Sequence, residues 1–287
     1  MIYLILSICC SSIIITTFKL LERNKIPVFP VIVMNYVVAS ALGFLVARPY
    51  PSLNSIFTSE WLIFASIIGF IFIVMFQFVG YVVPKIGLGV TGISTRMGVV
   101  MPILFSIIYY HEQVRILKLV GIVMALMALF FIMYRKSGLK TTSKYMFFPL
   151  LLFLGSGIAD TFVKYSQQEF VSDELLPFFS TMIFFVSLIV GLIINLFRKE
   201  SLFRNLNGKI IGWSVMLGIV NLGSIFFFLN ALKNSNIDSS IVFGINHLSI
   251  ITLVVLSGII FFKEKLTKMN WLGITFAFIA IIILSYS

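Results

Sequence analysis

Long apolar runs alternate with short polar breaks along the entire chain. Ten runs can be marked, at 2–21, 29–47, 61–82, 86–110, 115–134, 146–166, 176–197, 210–232, 238–262 and 268–286. Each is close to the ~20 residues a helix needs to cross a hydrocarbon core about 30 Å thick. The runs show no two-residue alternation and are far longer than a membrane strand, so the pattern predicts helices. Trp61, Trp213 and Trp271 begin three of them, the place where interfacial aromatics gather. The run at Ile2–Phe18 lacks a basic leader and a small-residue cleavage site, so it is read as the first span and not as a signal peptide. The expected fold is an all-α integral membrane protein with ten transmembrane helices.

The chain also repeats itself. His111-Glu112-Gln113-Val114 has a Gly nine residues after its Glu, at Gly121; Lys263-Glu264-Lys265-Leu266 is followed in the same way by Gly273. The offset of 152 also carries Trp61 onto Trp213, Phe76 onto Phe228, Val90 onto Val242 and Gly92 onto Gly244. With a slightly different shift, Thr16-Phe18-Lys19 faces Thr161-Phe162-Lys164. The chain therefore reads as two five-helix repeats, 1–134 and 146–287, joined by a linker at 135–145. An odd number of spans per half makes the second half enter the membrane from the opposite side. Inverted repeats of this kind place a binding site near the bilayer midplane, with the halves rocking around it.

Composition supports the membrane reading and removes others. Of 287 residues, 60% are hydrophobic and 11% charged, against roughly 25% charged in soluble domains. A water-soluble globule and a disordered chain are both excluded. The net charge of +11 is explained by topology and not by nucleic acid. One set of breaks holds Lys19, Arg23, Lys25, Lys85, Arg135, Lys136, Lys140, Lys144, Arg198, Lys199, Arg204, Lys209, Lys263, Lys265 and Lys268; the other holds Arg48, Arg115, Lys118, Lys164 and Lys233. By the positive-inside rule the first set is cytoplasmic, which places both termini outside a cell (inner) membrane. Cys9 and Cys10 read as small buried residues, with no disulfide or metal site.

Two five-span halves, each with Glu-x8-Gly at the junction of its fourth and fifth spans, resemble the drug/metabolite transporter superfamily and its EamA-type members. Asn230-Ala231-Leu232-Lys233-Asn234-Ser235 and the Gly155, Gly157, Phe162, Lys164 series are similar to stretches of that family. His111 and Lys263 stand where the family usually has a Gly before the junction Glu, and Pro102 lies a few residues from the family's proline. The resemblance implies secondary transport of a small metabolite, often export, with both termini in the cytoplasm.

The candidate site residues are the polar ones inside the spans. Arg96, in the fourth span, has Leu248 at the equivalent place in the other half, so the repeat does not require its charge. A charge at a helix centre costs about 2.5–3.5 kcal/mol on insertion scales and should face a cavity or a partner. It is read as an anion clamp or as half of a buried ion pair. Asp160 and Lys164, four residues apart on one face of the sixth span, form either a self-neutralising pair or a site where Asp160 takes a coupling proton. His247 and Asn246 in the ninth span, with Gln77, Asn35 and Asn221, are substrate contacts or helix–helix hydrogen bonds. Glu112 and Glu264 read as structural, each opening the helix after a tight turn. Gly121 and Gly273 are expected to permit close helix approach.

No phosphate loop, nucleophilic triad or metal-spaced cluster is present in the sequence, so an enzyme, a cofactor and a metal are not expected. The expected partners are a small-molecule substrate and the lipid bilayer, for a monomer or homodimer with a proton as candidate coupling ion. The leading expectation is a secondary-active exporter of a small metabolite such as an amino acid, working by alternating access between two inverted repeats; the alternative is a channel-like or facilitative permease for a small solute or ion.

Overall fold

A computed structural model describes residues 2–48, 50–111, 115–133, 145–198, 206–233 and 239–286. Its helices are α1 (Ile2–Arg23), α2 (Val28–Val46), α3 (Leu53–Thr58), α4 (Trp61–Ile86), α5 (Leu88–Met97), α6 (Val100–Tyr109), α7 (Ile116–Met133), α8 (Phe148–Glu169), α9 (Leu176–Leu196), α10 (Gly208–Lys233), α11 (Ser239–Phe262) and α12 (Lys268–Ser285). The described residues contain no strand. Every expected run lies on a helix, and the run at 86–110 is divided between α5 and α6. Eight segments, with α5–α6 counted as one, are long and apolar enough to cross a membrane. The other two runs lie on α7, which is short, and on α8, whose Asp160 and Lys164 lower its hydropathy. Outward-facing side chains such as Ile116, Leu196 and Phe197 are exposed, as a lipid solvent allows. Of the expected linker 135–145, only Tyr145 is among the described residues, and Glu112 lies outside them.

Packing runs chiefly between the two sequence halves. α2 lies against α9 and α10, α1 against α10 and α11, α4 against α8 and α9, α5 against α8 and α11, and α7 against α12. Exchanging α1 with α8, α2 with α9, α4 with α10, α5–α6 with α11 and α7 with α12 carries these pairs onto one another. Each buried cluster draws on both halves. One joins Phe18, Tyr36 and Ile73 to Phe184, Leu217 and Val254; another joins Ile93, Met97 and Ile132 to Leu152, Ile251 and Ala277. A third sets Trp61 and Ile68 against Phe178, Phe179 and Ile183.

Local chemistry fixes the approach of these helices. A Cβ on Gly121 would lie 2.7 Å from the Leu284 side chain, and one on Gly273 would lie 2.6 Å from Ile132. These reciprocal notches let α7 and α12 meet almost backbone to backbone. Between α2 and α10, Asn221 Nδ2 donates to Asn35 Oδ1 at 3.1 Å. In hydrocarbon each amide would otherwise be stranded, so the bond ties the halves together.

The ends of α1 and α11 turn on residues with left-handed backbone. Lys25 has φ 53°, and the N–H groups of Ile26 and Lys25 close a Schellman turn onto Leu21 O and Glu22 O, both at 2.9 Å. His111 (φ 51°) and Lys263 (φ 53°) share that conformation at equivalent positions of the repeat. It is the conformation a glycine adopts without steric cost, which explains the glycine of the related motif.

Three expectations are corrected by packing. Cys9 is exposed and Cys10 half-buried, because the face of α1 that carries Cys9 points outward. Trp61 does open α4 but points inward, edge-on to Phe178 and Phe179 at 6.1 Å. Glu264 does not open its own helix. α12 begins at Lys268 and is capped by Thr267, whose hydroxyl accepts from Asn270 N in a capping box.

Candidate functional site

The site forms where α5 breaks. Pro102 cannot donate to the carbonyl of Gly98, and its ring crowds that oxygen. The chain adjusts with tight bonds from Gly98 N to Thr95 O and from Val99 N to Arg96 O, both at 3.3 Å. The equivalent position in α11 is Val254, and α11 runs unbroken. The break needs room beside it, and α8 supplies that room. A Cβ on Gly98 would lie 2.8 Å from Gly157 N, and one on Gly157 would lie 2.8 Å from Gly98 O. Ser156 Oγ donates to Thr95 O at 2.8 Å, satisfying a carbonyl loosened by the break. Discontinuous helices in a bundle expose backbone of this kind only where they line a cavity or are covered by protein.

Arg96 sits on the last turn of α5, directly before the break. It lies within electrostatic reach of Asp160 on α8 and of His247 on α11. Among the described residues its guanidinium has no ion pair within 4 Å and no hydrogen-bond partner. Asp160 is exposed on α8. Of the two readings of Asp160 and Lys164, the ion pair is not seen among the described residues, and Lys164 Nζ donates to Ser106 Oγ on α6. His247 is buried with Nδ1 unpartnered, its ring stacked at 6.4 Å on Phe243. The adjacent Asn246 is buried with Oδ1 unpartnered.

Arg96 thus lies within electrostatic reach of a residue on each of two neighbouring helices, Asp160 on α8 and His247 on α11, with Asn246 beside His247 in sequence. Asn35 and Asn221 are engaged with each other between α2 and α10. Gln77 lies on α4 with a buried, unpartnered Nε2. A cation and an anion within electrostatic reach of each other but not in contact leave their hydrogen-bonding capacity free for a solute. Buried polar atoms without partners, here on His247 and Asn246, carry the same implication. The described residues contain no cluster of three or more His, Cys, Asp or Glu suited to a metal. No sequence pattern singles out Ser156 and Ser106, because serines inside helices usually bond their own preceding turn. Both also do so here, to Leu152 O and Pro102 O.

Residues 143–286, half of the chain, match the EamA-like transporter family. The chain belongs to the EamA-like transporter family. It is therefore a multi-pass membrane protein of a family that moves small solutes. It is similar, at 26% identity, to an uncharacterized protein of Haemophilus influenzae, over 99% of this chain and 97% of that one. A protein solved by crystallography shares the fold with a TM-score of 0.60 at 14% identity, covering 98% of this chain and 94% of that structure. In this EamA-like chain the matched segment supplies Asp160 and His247, and Arg96 comes from the half that precedes it.

Proposed function

We propose that the protein is a secondary-active carrier, residing in the cell (inner) membrane, that exports a small metabolite such as an amino acid by alternating access between two inverted repeats. The observation that carries this reading is the placement of Arg96, without a side-chain partner among the described residues, at the broken α5–α6 helix and within electrostatic reach of Asp160 and His247. Arg96 offers a planar fork of donors suited to a carboxylate or phosphate. Asp160, on the neighbouring α8, can receive a cationic group of the solute or a coupling proton. His247 and Asn246, with unpartnered polar atoms on α11, supply orientation. The pairwise exchange of helices between the halves supports an inverted-repeat carrier, in which one set of contacts is traded for its mirror.

Reconstituted proteoliposomes test this. Amino acids, sugars and nucleosides are screened for uptake and counterflow, with and without a proton gradient. The expected result is saturable flux with counterflow, reduced at least ten-fold by Arg96→Ala. Unsaturated, electrically measurable flux would instead identify a channel-like permease. Wild-type flux in Arg96→Ala would remove the clamp.

A further inference from the structure

The half-helix that carries Arg96 has no cap of its own. The residue before Leu88 is Gly87, which has no side chain to accept the first N–H groups of α5. A helix start leaves such donors unsatisfied and carries a positive partial charge. In α5 the acceptor comes from the other end of the sequence. Glu264 Oε1 and Oε2 accept from Leu88 N at 2.8 and 3.0 Å, and Oε2 lies 3.4 Å from Gly89 N.

The surroundings are shaped to this carboxylate. Gly87 has φ 91°, and a Cβ on it would lie 3.0 Å from Glu264 Oε2. A Cβ on Gly258, one wall away on α11, would lie 2.7 Å from the same oxygen. The backbone of Glu264 is itself held, its N–H donating to Gly258 O at 2.9 Å after the left-handed turn at Lys263. Gly87 between α4 and α5, Gly258 on α11, one turn and three hydrogen-bond contacts therefore converge on a single side chain. None of this is needed to start α12, which Thr267 caps.

We infer that Glu264 is a positioning residue, a clamp from the second half that fixes the depth and rotation of α5 and so holds Arg96 toward Asp160 and His247. The inference rests on Arg96 serving the transported solute. A helix broken at its far end by Pro102 has lost the support of a continuous α6. Its near end must then be anchored if its last turn is to stay in place. The anchor joins α5 to the α11–α12 junction, so movement of either half is transmitted to Arg96 through two backbone amides.

Hydrogen exchange on the full chain in phosphatidylcholine nanodiscs tests the clamp without a solute. Glu264→Ala should speed exchange of peptides covering 87–97 at least ten-fold while α2 and α10 keep wild-type rates. Glu264→Gln, which retains one acceptor oxygen, should restore most of the protection. Gly258→Ala keeps the carboxylate but displaces it, and should reproduce the effect of Glu264→Ala. Phenylglyoxal labelling of Arg96, read by mass spectrometry, should rise at least three-fold in Glu264→Ala. Unchanged exchange at 87–97, an equal rise in every helix, or unchanged labelling of Arg96 would overturn the inference. Failure of the transport reading is seen separately, in wild-type proteoliposomes that show no carrier flux.

Discussion

Single residues here carry distinct physical burdens. Lys25 closes the α1 turn at φ 53°, where a Cβ costs about 1–2 kcal/mol. Lys25→Gly should therefore stabilise the protein by about 1 kcal/mol, visible as a higher Tm in detergent. Gly212 and Gly273 provide the opposite comparison within helices. A Cβ on Gly212 meets nothing within 4 Å, while one on Gly273 meets Ile132 at 2.6 Å and Ala128 O at 3.0 Å. Gly212→Ala should be neutral or gain about 0.5–1 kcal/mol from helix propensity. Gly273→Ala should cost about 1–3 kcal/mol from overpacking. Parallel thermal melts check both. The sequence exposed the paired Gly121 and Gly273 through their repeat, but only the packing shows that each notch receives a residue of the other helix.

At the scale of elements, the consequential one is the broken α5–α6 segment. Pro102→Ala returns a backbone donor and removes the ring that bars a continuous helix. The expected outcome is a Tm no lower than wild type but slower counterflow, because the break that gives Arg96 its place heals. Higher or equal flux in Pro102→Ala would mean the break serves packing alone. Helix positions were legible from apolar runs, since lipid demands long uninterrupted stretches. The division of one run was not, because a proline after the first turn of a helix is tolerated in many membrane helices. Arg96 was legible as a candidate because an intramembrane charge is expensive. Its three-helix setting was not, since nothing in local sequence links α5 to α8 and α11. Glu264 was legible as structural, yet its partner lies 176 residues away. Local spacing assigned it to the wrong helix.

Across the whole molecule, the two halves are interleaved. α2, α4, α1 and α5 pack mainly on helices of the second half, so neither half has a complete core. A chain divided within 135–145 should reassemble when both pieces are co-expressed, giving a 1:1 complex on size exclusion. The piece 1–134 alone should aggregate or be degraded. A monodisperse 1–134 would show that the first half is a self-sufficient unit. The repeat in the sequence announced two halves but not their entanglement, because equal helices with the same apolar surface can pack within a half or across it.

The Asn35–Asn221 bond gives this entanglement a cost in time. The two residues are 186 positions apart, and a ribosome adding about 5–20 residues per second needs roughly 10–40 s to make the second after the first. Throughout that interval the amide oxygen of Asn35 is in the membrane without its mate. Its N–H side is less exposed, since Nδ2 donates to Ile32 O of its own helix at 3.3 Å. A newly inserted first half is thus a waiting surface, and the insertion machinery must shelter an amide until α10 arrives to claim it.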